Sequence, residues 1–191
     1  VAMAALMMAL AVAVSIGLMI SSFRNTVERW LQSSLPADLY ITSAAAGAQD
    51  AVPPSSIDDA WLTAIAELQG VERVNALRRV QMASSVGEIT IVALDIDARS
   101  HGAFSLTQSI GDTVWDDYHA GRAVLASEPL AFRTGLEVGE EIGFSSSSAA
   151  ESLPIAGVFY DYSTDRGYLL MSLDLYRQLW DDDGLTAASA F

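Results

Sequence analysis

The chain has 191 residues, 51% of them hydrophobic, and a formal net charge of −14. Its positive charges are all Arg, with no Lys, and it has no Cys. So acidic a chain is not built to bind nucleic acid by neutralising phosphates, and without Cys it has neither a disulfide framework nor thiol chemistry.

The hydrophobic residues are concentrated at the start. Of the 23 residues from Val1 to Phe23, 19 are apolar, the exceptions being Ser15, Gly17, Ser21 and Ser22; the first charge is Arg24. A membrane-spanning helix needs about 20 such residues. A secretory signal peptide has an apolar core of about 7–15 residues that ends at a small-residue cleavage site. Here an Ala-x-Ala pattern, Ala9-Leu10-Ala11, lies inside the run rather than after it. Residues 1–23 therefore read as a transmembrane helix. The missing initiating Met and basic start lead to the expectation that the helix is truncated at its N-terminus.

No Gly or Pro separates this run from the next segment. Ile20, Phe23, Val27, Trp30, Leu31, Ser34 and Leu35 fall at helical spacing, and Arg24, Asn25, Glu28, Arg29 and Gln32 fall on the other side. Pro36 ends the pattern, because the residue before a Pro avoids the helical region. Residues 24–35 are thus expected to carry the helix beyond the membrane as an amphipathic stalk. At 1.5 Å per residue the whole helix would be about 50 Å long.

Residues 36–191 read as one α+β domain of mixed hairpins and short helices, expected to be truncated at its C-terminus. Asp38–Thr42 reads as a strand, and residues 43–56 as a loop. Ser56 is placed to cap a helix over Ile57–Gln69, with Ile57, Trp61, Ile65 and Leu68 on its buried face and Gly70 at its end. Two β-rich stretches follow, about 71–83 and 88–97, joined as a hairpin by Ser-Ser-Val-Gly. Residues 113–120 suggest a short helix and 123–127 a strand. Ser127-Glu128-Pro129 opens a helix closed by Gly135. "EEIGF" and "LPIAGVFYDY" read as strands around an exposed Ser-rich loop, 145–152. "GYLLM" is a strand, "LDLYRQLWD" a helix, and "LTAASAF" the start of a strand.

Chemistry is hard to place in this pattern. His101 and His119 are the only two histidines, there is no Gly-x-Ser-x-Gly elbow, and a Ser–Lys pair is impossible without Lys. The acidic runs Asp95/Asp97, Asp116/Asp117/His119 and Asp181–Asp183 lack the alternating ligands of a calcium loop and read as acidic turns and helix ends. "GLEVGEEIG" lacks the Lys and the following helix of a phosphate-binding loop and reads as a turn between strands. No catalytic, cofactor-binding or metal-ligating residue is put forward.

Three segments, in order, resemble the extracytoplasmic domain of FtsX/MacB-type ABC transporter permeases, of the YbbP-like kind. They are "MMALAVAVSIGLMISSFRNTVERWLQSSLPADLYIT", "GRAVLASEPLAFRTGLEVGEEIGF" and "LPIAGVFYDYSTDRGYLLMSLDLYRQLW". The resemblance implies a non-catalytic segment of a bacterial cytoplasmic (inner) membrane permease, with residues 36–191 on the periplasmic or extracellular side. It implies a cytoplasmic ABC ATPase subunit reached through the parent permease, and a permease dimer or pseudo-dimer. It further implies that ATP-driven motion is relayed through the first membrane helix and its stalk. The cargo would be a hydrophobic, lipid-like or lipoprotein substrate, or the outside partner a periplasmic protein. A ligand-sensing ectodomain of a membrane-anchored receptor would share the helix-then-domain layout. A membrane-anchored hydrolase would need a polar constellation that the sequence does not display.

Overall fold

A computed structural model describes residues 2–34, 37–42, 57, 59–145, 150–161 and 163–191. They fall into two compact units, Val1–Pro36 and Ala37–Phe191. The first is a single helix, α1 (Ala2–Ser34), unbroken for 33 residues. Its apolar side chains, from Met3 through Phe23, are exposed. The stretch Ala2–Glu28 is long and apolar enough to cross a membrane. Past the apolar run, Arg24 pairs with Glu28 one turn on at 2.9 Å, and the Thr26 hydroxyl donates to the Ser22 carbonyl. Pairs of this kind add about 0.2–0.5 kcal/mol each to an exposed helix.

Among the described residues, the second unit is built on a nine-stranded mixed sheet. The elements in chain order are β1 (Leu39–Thr42), α2 (Asp59–Ala66), β2 (Val74–Ser84), β3 (Gly87–Leu94), a 3-10 turn (His101–Ala103), β4 (Leu106–Ser109) and α3 (Val114–His119). They continue with β5 (Val124–Ser127), α4 (Glu128–Thr134), β6 (Glu141–Ser145), β7 (Ala150–Phe159), β8 (Leu169–Ser172), α5 (Leu173–Trp180) and β9 (Ala187–Ala190). The strand order is β1-β9-β2-β3-β8-β5-β7-β4, and β6 pairs with both β7 and β2. The pairings therefore run in a circuit, from β2 through β3, β8, β5, β7 and β6 and back to β2. The link that closes it is short: Ser84 opposite Phe144, with Ser85 N–H donating to the Gly143 carbonyl at 2.9 Å.

All six strands of the circuit send side chains into one core. Val80, Ile91, Val124, Ile142, Phe144, Ile155 and Met171 belong to it, as do Leu130 of α4 and Leu175 and Tyr176 of α5. The alternate residues Val92, Leu125, Ala156 and Leu170 face the other way and pack beneath α3. Period-two alternation predicts this split, except in β7. There the register against β5 skips between Ile155 and Gly157. The bulge reverses the parity, so Val158 joins the first core and Phe159 the second.

Tyr118 of α3 is the central member of the outer layer and is fully buried. Its hydroxyl lies 2.8 Å from the Leu94 carbonyl and 2.7 Å from the Met171 carbonyl, at the ends of the parallel neighbours β3 and β8. Burial, and then Asp95 and Tyr168, push its pKa well above the tyrosine value of 10.0. The unfolded chain ionises this tyrosine near pH 10 while the folded chain keeps it protonated. Its contribution is thus complete below pH 10 and is lost as pH rises beyond it. Tyr118→Phe should cost about 1 kcal/mol at neutral pH and flatten the alkaline fall in stability. Denaturant titrations on both sides of pH 10 check this; an unchanged alkaline slope would contradict it.

The structure corrects several sequence expectations. Trp61 and Leu68 are not on a buried face: they are 67% and 59% exposed, and Leu62 packs on the core beside Ile57. Helix α2 stops at Ala66, before a turn that reaches Gly70. The loop placed at 145–152 is shorter, because β6 runs to Ser145 and β7 begins at Ala150, paired with each other. "GLEVGEEIG" links α4 to β6 rather than two strands. The 3-10 turn and β4 were not foreseen. The expectations for Leu35, Pro36, the loop 43–56 and the Ser56 cap lie outside the described residues.

Candidate functional site

The polar residues weighed for catalysis or metal binding are distributed among separate structural tasks. Asp97 pairs with Arg73 and accepts the Ser100 N–H. Asp117 accepts from Arg122 at 2.6 Å and from Thr113 at 3.1 Å. Asp183 pairs with Arg177. Among the described residues no group of three or more His, Asp or Glu side chains could share a metal ion. The buried serines are structural: Ser127 Oγ accepts the Tyr168 N–H at 2.8 Å, and Ser172 Oγ caps α5 by accepting the Leu175 N–H. His101 and His119 come together, with 2.9 Å between their Nε2 atoms, but no serine or carboxylate is hydrogen-bonded to either among the described residues.

Asp182 is the most connected of the acidic residues. It accepts the Arg78 Nη2–H at 2.8 Å, the Tyr176 hydroxyl at 2.6 Å and the Gly184 N–H at 2.9 Å. Desolvation would raise its pKa, but these donors outweigh it and hold the carboxyl below its usual range. Burial first, and then the hydrogen bond to Asp182, push Tyr176 up to about 12 against the opposing charge of Arg78. The hub ties α5 and the turn after it to β2. It is a structural clamp, legible in sequence only as an acidic turn.

What remains as a functional feature is the layout itself. An apolar helix of membrane-crossing length passes without interruption into a charged turn, and an acidic α+β domain follows it. Residues 1–188 match the family described as the MacB-like periplasmic core domain. The chain belongs to that family.

The relatives of this MacB-like domain agree. An uncharacterized ABC transporter permease of Mycobacterium tuberculosis is 29% identical over 195 residues, which take in 100% of this chain and 23% of the relative. The chain thus spans under a quarter of that permease's length. Among solved structures, the extracellular domain of the noncanonic ABC-type transporter YknZ from Gram-positive bacteria aligns with a TM-score of 0.55 at 14% identity, covering 72% of this chain and 74% of that one. The periplasmic region of MacB from Actinobacillus actinomycetemcomitans aligns with a TM-score of 0.56 at 10% identity, covering 79% and 72%. At these identities the structures establish the shared fold. Together with the family match, they make the chain a MacB-like extracytoplasmic domain of the ABC permease kind, preceded by an apolar helix that fits a transmembrane span.

Proposed function

We propose that this MacB-like domain relays ATP-driven motion of the membrane helices to the outside of the cell. The single observation that carries the reading is the continuity of α1. A helix without Gly or Pro after Gly17 is stiff, so a shift of its membrane-embedded part moves whatever its far end is joined to. In this reading residues 1–23 span the membrane, 24–35 form the stalk, and 36–191 are the moving extracytoplasmic part. The segment is non-catalytic, and hydrolysis takes place in a cytoplasmic ABC ATPase bound by the parent permease. Two such permease units, or two halves of one, act together in the bacterial cytoplasmic (inner) membrane. The cargo is hydrophobic, a lipid-like molecule or lipoprotein that is exported or extracted, or the motion is delivered to a periplasmic partner protein.

The arrangement is tested by sidedness. The chain has no Cys, so Glu88→Cys, at the exposed tip of the β2–β3 hairpin, gives it one thiol. In a parent permease otherwise free of Cys, an impermeant maleimide should label intact spheroplasts as completely as lysed ones. Labelling that requires lysis would place the domain in the cytoplasm and end the proposal.

A further inference from the structure

Two histidines that the relay does not use meet on the outer side of the sheet. His101 opens the 3-10 turn and His119 closes α3. Their Nε2 atoms are 2.9 Å apart and their ring centroids 5.2 Å apart. The difference, about 2.3 Å, is the sum of two imidazole radii, so both nitrogens lie on the line between the ring centres. The rings meet head-on. An ion between head-on imidazoles would need about 4 Å between the nitrogens, at about 2.0–2.1 Å from each; the observed gap has no room for one. It is the gap of an N–H···N hydrogen bond, which needs one protonated and one bare nitrogen.

We propose that the His101–His119 pair is a proton-operated latch: it holds the 3-10 turn against α3 while one facing nitrogen is bare, and releases it when both carry a proton. Doubly protonated rings present two donors and no acceptor, with two positive charges pressed together. The surroundings make the release readable. His101 lies flat on Trp115, with centroids 4.1 Å apart and planes 4° from parallel. Tyr118 meets His119 edge-on at 5.5 Å. The charged neighbours acting on His101 are Asp97, after β3 and itself paired with Arg73, and Asp116 of α3. Burial first, and then His119, lower the proton affinity of His101; the two aspartates oppose this and are outweighed. A histidine lowered by folding binds fewer protons in the folded state. The latch is therefore engaged above the ordinary value of 6.5 and lost as pH falls below it. On the outside of a cell, such a latch responds to ambient acidity.

The test is a pH titration of the imidazole nitrogens by NMR on the full chain in detergent micelles. The His101 imidazole should take up its proton in a step that depends on His119, and the Trp115 indole resonance should move with that step. In His119→Ala the step should lie at higher pH, because His119 no longer opposes it, and the Trp115 transition should move with it. A His101 step unchanged when His119 is removed would overturn the latch. Hydrogen exchange gives an independent reading on the wild type, because the Phe104 N–H donates to the His101 carbonyl. Its protection, corrected for intrinsic rates, should fall about fivefold on acidification through 6.5. Constant protection would also overturn the proposal.

Discussion

Gly167→Ala should strip the domain of a large part of its stability. Gly167 has a φ of +68°, and a Cβ built on it would stand 2.4 Å from the Leu130 backbone nitrogen and 2.4 Å from Ser127 Oγ. Neither neighbour can retreat easily. Leu130 is fully buried in the first turn of α4, and Ser127 is joined to Tyr168 by two hydrogen bonds, from its own N–H at 3.0 Å and to its Oγ at 2.8 Å. Moving either group would separate α4 from the strand that follows Gly167. The positive φ alone costs an alanine about 1 kcal/mol, and overpacking against fixed neighbours typically adds about 1–3 kcal/mol. With the lost hydrogen bonds, the expected cost is about 4 kcal/mol, a large part of the about 5–15 kcal/mol that holds a domain folded. Urea denaturation followed by tryptophan fluorescence measures it. Gly102→Ala is the control: Gly102 has open space around its Cβ position and should change stability by less than about 0.5 kcal/mol. A Gly167→Ala midpoint close to that of the control would show that the α4 junction yields.

Breaking α1 should abolish coupling while sparing everything on either side of the break. Val27 lies past the apolar run, within the turn that the Arg24–Glu28 pair spans. Val27→Pro removes one main-chain hydrogen bond, sets the proline ring against the carbonyl four residues back and kinks the helix, at about 3 kcal/mol. A joint that bends absorbs displacement instead of passing it on. In the reconstituted permease with its ATPase, ATP hydrolysis and complex formation should persist, while transport per ATP should fall about tenfold or more, a factor that about 1.4 kcal/mol already carries. Val27→Ala, which keeps the helix, should transport normally. Undiminished transport by the proline variant would show that motion reaches the outside by another route.

Local signals account for most of the elements that the sequence disclosed. The unbroken apolar run, the Ser-Ser-Val-Gly hairpin, the Ser-Glu-Pro helix start with Gly135 at its end, and the strand before "LDLYRQLW" each depend on a few neighbouring residues. Helix α2 misled because apolar residues occur on more than one side of it. Trp61, Leu62, Ile65 and Leu68 allow several stripes, and only the packing on β2 and β9 selects Leu62. The closure of the sheet was illegible for a different reason. Ser84 meets Phe144 across sixty positions, and β9, built from Ala and Ser, carries no β-branched signal although it lies between β1 and β2. Side-chain direction was also hidden. "DDDG" advertises an acidic turn, but nothing in it says that Asp182 turns inward to Arg78 and Tyr176 while Asp183 stays at the surface. Likewise His101 and His119 are eighteen positions apart, and only the packing of α3 beside the 3-10 turn brings their rings into line.

The pairing of the first strand with the last decides how the domain can be loaded. Leu39 lies opposite Ala190, and the Asp38 N–H donates to the Ala190 carbonyl at 3.0 Å, so the start of β1 and the end of β9 stand side by side. The pair responds to force in two ways. When both ends are pushed together, β1 and β9 travel as one and the whole body is carried as cargo. When the ends are drawn apart, the strain falls on the Leu39–Ala190 pair first, then on Tyr40–Ser189, and the two strands open like a zip. A pull that separates the ends would therefore peel the domain from this edge, whereas a common thrust would leave it intact.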